Sequence, residues 1–135
     1  MEEKIIWTNG CFDVIHRGHI ELFRYAKSLG GQLYVGIDSD HKVNKDKGLD
    51  RPVFSEDDRS AVVSSIQYVD KTYIFDSTYE LEQLIKKVSP DIMVIGSDWE
   101  GKTVVGQEYA KELKFFNRLT RYSTTKILEW TNIQK

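Results

Sequence analysis

Two histidines stand three residues apart near the N-terminus, in the stretch Thr8-Asn9-Gly10-Cys11-Phe12-Asp13-Val14-Ile15-His16-Arg17-Gly18-His19. Gly10 removes a side chain where backbone can approach a ligand. Gly18 lets His16 and His19 stand close together at what reads as a helix entrance. A helix N-terminus carries unpaired N–H groups and partial positive charge, which suits an anion. Imidazole donors there can stabilise charge that develops on phosphate oxygens. A zinc site would need further ligands, for example Asp13, because the chain has one cysteine and three histidines. The bland alternative is two unrelated surface histidines.

Three other stretches hold reactive or ligand-binding residue types. Residues 38–53 (DSDHKVNKDKGLDRPV) carry Lys42, Lys45, Lys47 and Arg51 against Asp46 and Asp50, a locally basic segment that a solvated loop would also explain. In Gly96-Ser97-Asp98-Trp99-Glu100-Gly101-Lys102 an aromatic beside an acid suits a nucleobase and its ribose, although Trp99 could equally cap a core. Ser123-Thr124-Thr125 offers hydroxyls at a helix start, either for phosphate or as a plain N-cap.

The elements that must position these groups follow from hydrophobic patterning. Residues 4–8 (KIIWT), 32–37 (QLYVGI), 71–75 (KTYIF), 91–95 (DIMVI) and 113–116 (LKFF) read as strands. Residues 19–29, 56–66 and 79–88 show helical spacing. Ser55 precedes the second of these helices as an N-cap with acids behind it, and Gly30-Gly31 stops the first. Strands alternating with helices predict a doubly wound, Rossmann-like α/β fold with a five-stranded parallel sheet. In such sheets ligands bind beyond the carboxyl ends of the strands. Those windows are residues 9–19, 38–51, 76–78, 96–102 and 118–125, and the histidines, cations, Asp98, Trp99 and hydroxyls named above all fall within them.

Composition narrows the classes. The 135 residues suit one domain, read here as a single unit over 1–135, with no room for a fused kinase or a membrane-binding extension. With 19 Lys+Arg against 21 Asp+Glu, the net charge of −2 argues against a protein that coats nucleic acid or an anionic membrane. Cys11, the one cysteine, excludes an internal disulfide. No run nears the roughly 18 apolar residues of a membrane span, and the acidic N-terminus is no secretory signal, so a cytoplasmic location is expected.

Gly10…Phe12-Asp13…His16-Arg17-Gly18-His19 resembles the G-x-F-D-x-x-H-x-G-H signature of the cytidylyltransferase-like nucleotidyltransferases, and Ser123-Thr124-Thr125-Lys126-Ile127 resembles their S-T-T-K-I. Lys47-Gly48, Arg51-Pro52-Val53 and Arg59 look like the K-G-x-x-R-P-V…R pattern of the branch that activates heptose phosphate, as does Val105-Gly106-Gln107-Glu108. Gly96 to Lys102, and Arg118 five residues before Ser123, are instead similar to the glycerol-3-phosphate cytidylyltransferases. Ile95 stands where the heptose branch usually has lysine, and Leu119-Thr120-Arg121-Tyr122 departs from the glycerol-phosphate pattern. The resemblance spans residues 4–130 and mixes the two branches.

The resemblance implies the nucleotidyltransferase fold of the HUP type. It also implies transfer of a nucleotidyl group from a nucleoside triphosphate to a phosphorylated acceptor, with loss of pyrophosphate. The attacking phosphate is already an anion, so alignment and charge neutralisation suffice. His16 and His19 would hold the triphosphate and stabilise the transition state, with Lys45 or Lys47 and Arg59 closing over the reacting phosphates. Asn9, Gly10, Cys11, Phe12, Asp13, Gly18, Asp98, Trp99, Arg118, Ser123, Thr124 and Thr125 would bind the nucleotide, and Asp40 and Arg51 the acceptor. Mg²⁺ would arrive with the triphosphate, and no residue is assigned as its ligand. The leading expectation is CTP with glycerol 3-phosphate, giving CDP-glycerol. The alternative is ATP with a heptose 1-phosphate, giving ADP-heptose; a non-catalytic nucleotide-binding module is the third reading. A homodimer and a place in cell-envelope biosynthesis are expected, with neither nucleic acid nor membrane as partner.

Overall fold

The computed structural model describes residues 3–117, 125 and 127–129. Five described strands, β1 (Lys4–Gly10), β2 (Gly31–Asp38), β3 (Lys71–Phe75), β4 (Ile92–Gly96) and β5 (Glu112–Phe116), form one sheet in the order β3-β2-β1-β4-β5. Every pairing is parallel, so the expected five-stranded parallel sheet is present. Helix α1 (Arg17–Ser28) links β1 to β2, α2 (Asp40–Lys47) and α3 (Glu56–Ser64) link β2 to β3, and α4 (Thr78–Val88) links β3 to β4.

Alternation along the buried strands builds a core on each face. Ile6, Leu33, Val35, Ile92 and Val94 meet Phe23 and Ala26 of α1 and Val63 of α3. Their neighbours Trp7, Met93 and Ile95 turn the other way, against Leu81 and Ile85 of α4. Burying each large apolar side chain contributes about 1.5–3 kcal/mol. Gly31 is required where β2 begins beside β1: its φ is 141° and a Cβ would lie 1.8 Å from the Lys4 carbonyl oxygen.

One element departs from the expectation. The basic stretch after β2, read as a loop, forms the two-turn helix α2. Only Val43 is buried in that helix, so no apolar periodicity reveals it. It is fixed by tertiary ties instead. Ser39 Oγ accepts from Lys42 N at 3.1 Å and donates to Asp76 at 2.6 Å, while Asp40 N donates to Glu56 at 3.0 Å. Among the described residues, no helix is long and apolar enough to cross a membrane.

Strand order reverses between β1 and β4, the point at which a doubly wound sheet opens a crevice beyond its carboxyl edge.

Candidate active site

A cavity of about 700 Å³ lies over that edge. Its floor is the loop between β1 and α1. His16 is the N-cap of α1, its Nδ1 accepting from Gly18 N at 3.1 Å, and His19 Nδ1 accepts from His16 N at 3.2 Å. The two imidazoles therefore form a reciprocal capping box, with ring centroids 3.9 Å apart. In a neutral ring, an Nδ1 that accepts leaves the proton on Nε2, so each ring presents an N–H donor on its far side. Both histidines line the cavity.

The loop is rigid for reasons in its sequence. A Cβ on Gly10 would lie 3.2 Å from the Phe12 ring, so the glycine makes room for a phenylalanine that is itself buried in the core. Asp13 has a fully buried side chain and accepts from Val53 N at 2.7 Å and Phe54 N at 3.0 Å, with Arg51 Nε at 3.4 Å. Its oxygens hold the loop before α3, and the residue also lines the cavity. Asn9 lines the cavity and accepts from the Trp7 indole at 2.9 Å. Burial pushes the Cys11 thiol up, against the charges of Lys47 and Arg59, which disfavours its thiolate.

Cations enter from α2 and the following loop. Lys42, Lys47 and Arg51 line the cavity. Burial pulls the Lys42 ammonium down, but its 2.7 Å bond to Asp46 and the charges of Asp38 and Asp46 outweigh that, so it titrates above an ordinary lysine. Lys45 lies on the exposed side of α2 and does not line the cavity, which leaves Lys47 as the candidate of that pair.

Arg59 and Asp40 occupy places other than those expected. Arg59 is 1% exposed, and its guanidinium donates to the carbonyls of Phe54, Cys11 and Asp38 and to Asp40 Oδ1, at 2.7–3.0 Å. Neither residue lines the cavity: Arg59 is committed to main chain and to Asp40, and Asp40 is paired with Arg59. In this structure Arg59 clamps three main-chain carbonyls, and Asp40 is its counter-ion.

On the β4 side, Gly96, Asp98 and Trp99 reach the cavity. Trp99 sits in a 3-10 turn (Ser97–Trp99) and is 48% exposed, so it caps no core, and Lys102 Nζ lies 5.7 Å from its ring. Gly18 and Thr125 also line the cavity. Arg118, Ser123 and Thr124 lie outside the described residues. Among the described residues, no three His, Cys, Asp or Glu side chains come together as a metal-ligand set.

The model of the cytidylyltransferase-like family matches residues 7–130, a span that holds the histidine loop and the lysines of α2. The chain belongs to that family. It is a nucleotidyltransferase, with the α/β fold described above. Among its relatives, the bifunctional protein HldE of Nitratiruptor sp. is 45% identical over 129 residues, covering 94% of this chain and 27% of that protein. The HldE of Campylobacter concisus is 42% identical over 128 residues, covering 95% and 27%. This chain thus spans about a quarter of the length of the curated relatives it matches. The crystal structure of the lipopolysaccharide core biosynthesis protein from Thermoplasma volcanium has the same fold, with TM-score 0.67 and 24% identity over 85% of this chain and 98% of that one.

Sequence reasoning did not assign several residues that line the nucleotidyltransferase's cavity: Asp38, Lys42, Asp46, Thr78, Leu81, Val104 and Val105. Lys42 carried a usable signal, since Ser39 followed by Asp40 is an N-cap pattern that would have placed it on a helix above the site. Leu81 and Val104 read as ordinary core residues, and nothing local marks them.

Proposed function

We propose that this nucleotidyltransferase transfers the adenylyl group of ATP to a heptose 1-phosphate, releasing pyrophosphate and giving an ADP-heptose. The observation that carries this reading is the 42–45% identity to HldE proteins across nearly the whole chain. It supports the ATP and heptose pair over the CTP and glycerol 3-phosphate pair that residues 96–102 and Arg118 favour.

An acceptor phosphate oxygen attacks the α-phosphorus in line, and pyrophosphate leaves from the opposite side. The Nε2–H groups of His16 and His19 donate to oxygens that gain charge in the pentacovalent transition state. Lys42, Lys47 and Arg51 neutralise the two phosphate groups that must meet, and the fixed loop after β1 holds them in line. Trp99 offers its exposed ring to the nucleobase, beside the apolar wall of Leu81, Val104 and Val105. Mg²⁺ enters as the metal–triphosphate substrate. These steps need no membrane and suit a cytoplasmic enzyme of cell-envelope biosynthesis.

The test is pyrophosphate release with ATP or CTP, against a heptose 1-phosphate or glycerol 3-phosphate. The expected result is turnover with ATP and heptose 1-phosphate at a kcat/KM at least tenfold above any other pair. Preference for CTP with glycerol 3-phosphate would reverse the reading, and nucleotide binding without turnover would replace it with a binding module.

A further inference from the structure

The cavity holds carboxylates as well as cations, and their partners tell them apart. Asp13 spends its oxygens on Val53 N, Phe54 N and Arg51, and Asp46 accepts from Lys42. Asp38, the last residue of β2, lines the same cavity, yet its side chain has neither a hydrogen bond nor an ion pair among the described residues. Its place is nonetheless fixed, because Arg59 Nη1 donates to its main-chain oxygen at 2.7 Å. Burial pushes its carboxyl up from the ordinary 3.8, with the Lys42 charge opposing and the Asp46 charge adding.

A part-buried carboxylate without a hydrogen-bond partner opposes folding. Groups of that kind are retained where a ligand uses them. An ionised carboxylate only accepts hydrogen bonds and repels phosphate, so its ligand is a donor. The sheet order supplies the direction. Trp99 and Asp98 follow β4 on one side of the histidine loop, while Asp38, Lys42 and Lys47 follow β2 on the other. A nucleotide whose base lies at Trp99 and whose phosphates cross the histidines leaves the β2 side to the acceptor.

We propose that Asp38 is a specificity residue for the acceptor, its carboxylate accepting hydrogen bonds from hydroxyl groups of a polyhydroxylated phosphate ester whose phosphate lies toward Lys42 and Lys47. This deepens the transfer reading and rests on it. It requires an acceptor with hydroxyls close to its phosphate, and it disfavours any that presents a second anionic group there.

The experiment compares wild type, Asp38→Ala and Asp38→Asn in steady-state turnover of ATP, Mg²⁺ and heptose 1-phosphate, with Tm recorded for each. Hydrogen bonds to a charged group are the strong ones. Asp38→Ala is expected to raise the acceptor KM at least tenfold while the ATP KM stays within about twofold, and Asp38→Asn to recover part of the loss. Stability runs in the other direction. A carboxyl with a raised folded-state pKa contributes stability at low pH that is lost as pH rises through that pKa. At pH 7, therefore, Asp38→Asn should have a Tm equal to or above wild type, and that advantage should vanish below about pH 4. An unchanged acceptor KM, or a change confined to ATP or to the Mg²⁺ requirement, would overturn the assignment. So would a clear drop in Tm at pH 7, which would reveal a structural partner. Absence of turnover in the wild type would instead overturn the transfer reading and this inference with it.

Discussion

His16 and His19 each use Nδ1 to close the turn that begins α1, and both residues line the cavity. Cap and donor can be separated by substitution. His16→Ala and His19→Ala should each lower kcat by about 10²-fold or more, the scale of removing one transition-state donor. His16→Asn keeps a good capping side chain but has no distant N–H. It should hold Tm within a few degrees of wild type while losing turnover as the alanine variant does. Pyrophosphate release and thermal melts check both, and near-normal rates in the two alanine variants would remove the histidines from the mechanism. The histidines and the glycine between them were visible in the sequence because spacing of three residues at a helix start is a local property. The bonds of Arg59 were not, although the residue was singled out, since nothing local says which acceptors from distant segments a long cation will reach.

At the scale of elements, Arg59 joins the loop after β1, the end of β2, the start of α2 and the turn before α3. Removing it strands buried carbonyls and releases Asp40. Arg59→Met should therefore cost about 3 kcal/mol, allowing for the part-exposed carboxylate, or roughly 10 °C in Tm for a chain of this size. Turnover should fall as well, because α2 carries Lys42 and Lys47. Arg59→Lys supplies one charge without the fork and should recover little. A melting temperature within 2–3 °C of wild type for Arg59→Met would rule out the clamp. Helix α2 itself was illegible in the sequence: with one buried residue in eight, its amphipathic signal is absent, and Ser39, Asp76 and Glu56 hold it from elsewhere. The strands, by contrast, were legible to within one or two residues, since a fully buried parallel strand must be an apolar run.

At the scale of the whole molecule, three exposed apolar side chains of the described residues stand on one segment. Leu49 is 92% exposed, and Val53 and Phe54 follow it at 49% and 48% on the segment between α2 and α3. We infer that this segment is covered in a homodimer. Light scattering at working concentration should give twice the chain mass, with Leu49→Asp shifting it toward the monomer. A monomer mass for the wild type would remove the inference. Net charge, read over the whole chain, was a weak guide to the site. It averages over the molecule, while Lys42, Lys47 and Arg51 are gathered at one edge of the sheet.

The sequence by itself determined the alternation of strand and helix, the parallel sheet and the histidine loop, because each depends on residues near one another in the chain. It also carried the family, through two motifs at opposite ends. Only the tertiary structure decided which polar side chains bond within the protein and which line the cavity. Asp40 and Arg59 hold one another away from the cavity, Asp13 lines it while holding Val53 and Phe54, and Asp38, Lys42 and Lys47 line it from the β2 side. The physical reason is that a charge entering low-dielectric surroundings must find a partner, and that partner comes from segments whose approach depends on the packing of the sheet.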